Sequence, residues 1–120
     1  MALDYLVILG LSKISCLSGG ENPTSKSRVQ GYLEAMQRNK LVESAQVVAG
    51  GLSDAAGYAA AVEALKSNPT ALVVANDFAA MGAIAAIQES GLRVPEDVSV
   101  IGYDGISIGA LKNVNLTTVS

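Results

Sequence analysis

The sequence has 120 residues, half of them hydrophobic, with 16% charged against roughly 25% in an average soluble protein. A chain of this size is one domain, residues 1–120, large enough to bury a core without staples. Its formal net charge of −3 lacks the basic footprint that supplies most nucleic-acid affinity. With no histidine and one cysteine, it is without the commonest general base and metal ligand and cannot form an internal disulfide, which points to a reducing, cytoplasmic compartment.

Taken in chain order, residues 3–9 read as a helix closed by Gly10 in the left-handed C′ position. The apolar start carries Asp4 and no basic stretch, so neither a secretion signal nor a membrane span is expected. Residues 14–17 form a short strand, and the loop 18–23 leads to a helix starting near Thr24 or Ser25, where Val29, Tyr32, Leu33 and Met36 share one face. A strand over 45–49 follows. Ser53 then caps a helix running through Lys66, with Ala59, Val62 and Leu65 inward.

Asn68-Pro69 breaks that helix, and residues 71–75 are a continuous apolar run suited to a strand buried on both faces. Asn76-Asp77 caps the next helix, which ends at Ser90-Gly91 and presents Met81, Ile84, Ala85 and Gln88. A strand over 98–101, a turn at 102–105, a short helix over 106–111 and a last strand over 116–119 complete the chain. Strands alternating with helices at this spacing predict an α/β three-layer sandwich with a mostly parallel sheet of Rossmann-type topology. In such sheets ligands sit at the carboxyl ends of the strands. Those ends are Ser18-Gly19-Gly20, Gly50-Gly51-Leu52, Asn76-Asp77 and Tyr103-Asp104.

Several motifs fail on chemistry. Gly105-Ile106-Ser107-Ile108-Gly109 matches the nucleophile-elbow pattern, but a Ser-His-Asp triad needs an imidazole that the chain lacks. A phosphoreceiver site needs clustered acids where Ser18 and Gly19 stand. No glycine-rich phosphate motif follows any strand. The chain therefore reads as a non-enzyme without cofactor or metal.

Four residues are open between structural and ligand roles. Asn76, Asp77 and Asp104 can each cap a helix or accept the hydroxyls of a polar ligand. Arg28 stands in the first turn of a helix, where a cation opposes the dipole. A carboxylate such as Asp104, a ligand, or plain solvent could hold it there. Cys16, in a central strand, reads as a small core hydrophobe.

The runs Ala75-Asn76-Asp77-Phe78-Ala79-Ala80-Met81-Gly82-Ala83, Glu89-Ser90-Gly91-Leu92-Arg93-Val94-Pro95-Glu96-Asp97-Val98, Ser99-Val100-Ile101-Gly102-Tyr103-Asp104 and Leu116-Thr117-Thr118-Val119 closely resemble the effector-binding core of LacI/GalR-type bacterial transcription regulators. Ser27-Arg28-Val29-Gln30-Gly31-Tyr32 fits the same pattern. The resemblance implies a periplasmic-binding-protein-like module of two α/β subdomains that close on a small molecule, usually a sugar or nucleoside-type ligand, behind a helix-turn-helix. This chain resembles the second subdomain only, so DNA would be met through an N-terminal domain that is not in it.

By the same resemblance Arg28, Asn76 and Asp104 would bond ligand hydroxyls from one wall of the cleft, with Ser18, Leu52 and Tyr103 beside them. A homodimer interface is implied over Met81, Ile84, Ala85 and Gln88, with Ile108 and Leu111 from the short helix. The chain departs from the pattern at Leu11, where relatives often carry histidine, at Leu52, where an aromatic ring is frequent, at Asp104-Gly105, and at Val114-Asn115, where prolines are common. Half of a sugar-binding protein of a transport system is the alternative the same fold allows. Arg28 and Asp104 are expected to attract one another across the open wall.

Overall fold

The structure is a computed structural model that describes residues 10–102 and 116–118. Five strands, β1 (Ile14–Leu17), β2 (Gln46–Val48), β3 (Ala71–Val74), β4 (Ser99–Gly102) and β5 (Leu116–Thr118), form one sheet in the order β2-β1-β3-β4-β5. Every neighbouring pair is parallel. Among the described residues, three helices, α1 (Pro23–Arg38), α2 (Asp54–Leu65) and α3 (Asp77–Glu89), and a 3-10 turn at Val42–Ser44 connect β1 through β4.

Alternation along the strands splits the core in two. Ile14, Cys16, Ala71, Val73 and Ile101 face α1 and pack on Tyr32, Ala35 and Met36. Leu17, Val48, Leu72, Val74 and Val100 face the other way, onto the small residues of α2 and α3. The result is the predicted three-layer α/β sandwich. Tyr32 ties the first layer to the sheet: its buried hydroxyl donates to the Ile14 carbonyl and accepts from the Gln46 N–H at 3.0 Å. Ser15, buried in β1, donates at 2.6 Å to Gln46, its register partner on β2.

Local chemistry shifts several boundaries. The first helix begins at Pro23, ahead of the expected Thr24, because the Asn22 side chain caps it, accepting from the Ser25 N–H at 2.8 Å. Proline then fills a position whose N–H would be unsatisfied anyway. Its buried face is Ser25, Tyr32, Ala35 and Met36, while Leu33 is 37% exposed.

The larger correction concerns α2. The residues buried on α2 are Gly57, Ala60, Ala61 and Ala64, in place of Ala59 and Val62, while Leu65, expected inward, is half-buried and packs against the core. Val62 is 43% exposed. Packing decides this: α2 lies so close to α3 that only glycine and alanine fit between them, and a branched side chain there would hold the helices apart. Asn68 leaves α2 at φ 55° ahead of Pro69, and Gly91 leaves α3 at φ 83°, both in the left-handed conformation that ends helices. The helix expected over 3–9 and the short helix over 106–111 lie outside the described residues. No helix among the described residues is long and apolar enough to cross a membrane.

Candidate functional site

The strand order reverses direction between β1 and β3, so the connections from these two strands leave on opposite faces and open a crevice at their carboxyl ends. The side chains gathered there come from four segments: the tip of β1, the start of α1, the loop after β2 and the tip of β3.

Arg28 spans the switch point. It projects from the second turn of α1, which follows β1, and its Nη1 donates to the carbonyl of Ala75, at the end of β3, at 2.7 Å. A backbone carbonyl therefore helps hold the cation in its unfavourable place near a helix start, a partner that no sequence motif announces. Asn76 does two structural jobs at once. Its Oδ1 accepts from the Ala79 N–H at 2.8 Å as the cap of α3, and its Nδ2 donates to the Leu52 carbonyl at 2.9 Å. Asp77 is the first residue of α3 rather than its cap.

Leu52 is 47% exposed at the mouth of the crevice. Ser18, half-buried, turns its hydroxyl back on its own loop, accepting from the Gly20 N–H at 3.1 Å and donating to the Gly20 carbonyl at 3.2 Å. Gly19, which the sequence places at a strand end, is buried beneath these groups, and glycine in a loop carries no signal of such burial. Cys16 lies below in the core, where burial pushes its thiol up to about 12. Tyr103 and Asp104 lie outside the described residues.

The surface at Arg28 is a wall rather than a pocket: the hollow lined by Ser18, Gly19, Ser25, Arg28 and Ala75 measures only about 10 Å³. Small-molecule sites usually enclose most of their ligand, so this wall needs an opposing surface to make one.

The model of the periplasmic binding protein-like domain family matches residues 3–120. The chain belongs to this family, in its LacI/GalR branch. It is 36% identical to the HTH-type transcriptional repressor PurR of Aliivibrio salmonicida over 99% of its own length and 37% of the relative's. With PurR of Proteus mirabilis the identity is 40%, covering 96% of this chain and 35% of that one. Among solved structures, a dimeric lac repressor superposes with a TM-score of 0.88 at 36% identity, over 98% of this chain and 44% of the repressor. A LacI transcriptional regulator from a Rhodococcus species gives 0.90 at 37% identity, over 99% and 45%. The chain thus spans little more than a third of the curated relatives' length.

The implied interface residues separate in the LacI/GalR-type chain. Met81 is 43% exposed on α3, with Ala85 half-buried and Gln88 exposed. Ile84, expected on the same surface, is 5% exposed and belongs to the core under α3. Ile84 stands one turn from both Ala80 and Gln88 (i±4), so a helix packed through Ala80 and Ala83 carries it inward. Ile108 and Leu111 lie outside the described residues.

Proposed function

We propose that this chain forms one wall of the small-molecule effector site of a transcription repressor, and that binding at the wall controls operator affinity through a DNA-binding domain beyond these residues. The observation that carries the reading is the Arg28 guanidinium fixed on the Ala75 carbonyl at the sheet's switch point, in a chain of the LacI/GalR branch. Arg28 supplies charge-assisted donors to a hydroxylated or carbonyl-bearing ligand, Asp104 supplies an acceptor, and Leu52 gives an aliphatic face. The ligand is a sugar or related metabolite. Repressors called PurR stand among the relatives, and a lac repressor has been solved with ONPG, so purine bases and nucleosides belong in the same screen as sugars and ONPG. The protein acts as a homodimer, with Met81, Ala85 and Gln88 on the shared face.

The test is operator binding by the full-length gene product, followed by anisotropy with each of these compounds. A compound that changes operator affinity in the natural protein, and fails to do so in Arg28→Ala, supports the reading. Loss of Arg28 with the response intact would defeat it. A secretion signal in place of a helix-turn-helix ahead of these residues would shift the assignment to a transport-system binding protein.

A further inference from the structure

We propose that Gly19 is a positioning residue of this site, an inference that rests on the effector-wall reading above. A Cβ built on Gly19 would stand 2.5 Å from Ser25 Oγ, 2.7 Å from Ala75 Cβ and 3.0 Å from Leu52 Cδ2. These three neighbours belong to three different segments: the first turn of α1, the tip of β3 and the loop between β2 and α2. Each adjoins a functional group. Ser25 lies three residues before Arg28 on the same helix, Ala75 provides the carbonyl that Arg28 grips, and the Leu52 carbonyl receives the Asn76 amide.

The backbone of Gly19 is outside the left-handed region, so conformational freedom does not explain the residue. Space does. The Ser25 hydroxyl could rotate away from an added methyl, but the Ala75 methyl is fixed to the end of β3 and cannot. Any side chain at position 19 therefore separates α1 from the tip of β3, and the Arg28–Ala75 bond spans that gap. Gly31, farther along α1, has no atom within 4 Å of its would-be Cβ and serves as the control.

The experiment follows the Arg28 Nε–H resonance by ¹⁵N NMR in the natural chain, Gly19→Ala, Gly31→Ala and Gly19→Ala/Ala75→Gly, with melting curves for each. In parallel the same substitutions in the full-length gene product are titrated with ONPG, sugars, purine bases and nucleosides. Gly19→Ala should move the resonance and weaken the response to the active compound at least tenfold, while Gly31→Ala leaves both unchanged. Removing the Ala75 methyl should restore the resonance. An Arg28 signal unmoved in folded Gly19→Ala overturns the proposal. So does a double variant that stays unfolded or stays shifted when Gly19→Ala itself fails to fold. If no compound acts on the natural protein, the effector reading fails while the resonance still decides the role of Gly19.

Discussion

Gly57 and Gly82 form a reciprocal contact between two helices: a Cβ on Gly57 would run into the backbone of Ala79 on α3, and one on Gly82 into the backbone of Asp54 on α2. Both obstacles are main chain, so no rotamer change relieves them, and the helices must move apart instead. Overpacking of this kind costs about 1–3 kcal/mol. Gly82→Ala should lower the melting temperature by on the order of 10 °C, and Gly57→Ala similarly. The double variant should lose less than the sum, because the first substitution already opens the crossing. Thermal unfolding of the three variants checks this.

Asn76 offers a separation of structure from ligand contact. Replacing it with alanine removes the cap on α3 and the partner of the Leu52 carbonyl together, at about 1–2 kcal/mol. Asn76→Asp keeps the acceptor for the Ala79 N–H and turns a carboxylate oxygen toward the Leu52 carbonyl, a repulsion that solvent and the start of α3 weaken, so it should destabilise by less. If Asn76 also touches the effector, Asn76→Asp will weaken the operator response beyond what its small stability change accounts for. Urea melts set beside operator titrations read both.

Arg28→Ala should behave in the opposite proportion. The guanidinium is half-exposed, and its bond to the Ala75 carbonyl at 2.7 Å, partly solvated, contributes about 1 kcal/mol. On the proposed effector-wall reading, the effector response should fall by more than this, since the wall loses the cation assigned to the ligand. Arg28→Lys should fail nearly as badly, because a single ammonium cannot grip the Ala75 carbonyl and still present a planar fork to a ligand.

The fold was legible because alternation of apolar strands with amphipathic segments admits few topologies. The strand 71–75 and the cap at Asn76 could be read from local chemistry alone. What escaped was set by distance in space. The inward face of α2 could not be read from hydrophobicity, since the buried residues there are glycine and alanine and the more hydrophobic Val62 is turned outward. Ile84, put on a shared surface by the resemblance alone, lies in the core where its hydrophobicity belongs. At the site, Arg28 stands out as a cation in an awkward place, but one group it holds is a carbonyl, which every residue possesses. Gly19 stands at a strand end in the sequence, but the crowding around it exists only once three segments are assembled.

Met81 tests the shared face. With Phe78 at 69% exposure and Met81 at 43%, α3 leaves bulky apolar atoms uncovered, Met81 beside Tyr58. If the proposed homodimer forms through this face, Met81→Glu would set a carboxylate in the middle of it, where its twin would repel it. Sedimentation equilibrium of the full-length gene product should show association weakened by at least tenfold, with the melting temperature of the isolated chain unchanged. Unaltered association would place the interface elsewhere.

Alkaline pH reports on the α1 layer. Burial pushes both Cys16 and Tyr32 up to about 12, from ordinary values of 9.0 and 10.0. Each group is neutral in the fold and ionises more readily once unfolded, so the unfolded chain sheds its protons first and stability falls as pH rises. One such group lowers stability by about 1.4 kcal/mol per pH unit. The decline should begin above pH 9 from Cys16 and steepen above pH 10 when Tyr32 joins. Cys16→Ala leaves a small cavity whose cost is the same at every pH, but it removes the first titration. Urea melts between pH 7 and 10 should therefore show the natural chain losing stability from pH 9 upward, with Cys16→Ala flatter over that interval. Equal slopes for the two proteins would mean that the thiol ionises without unfolding, and that the core between α1 and the sheet is open to hydroxide.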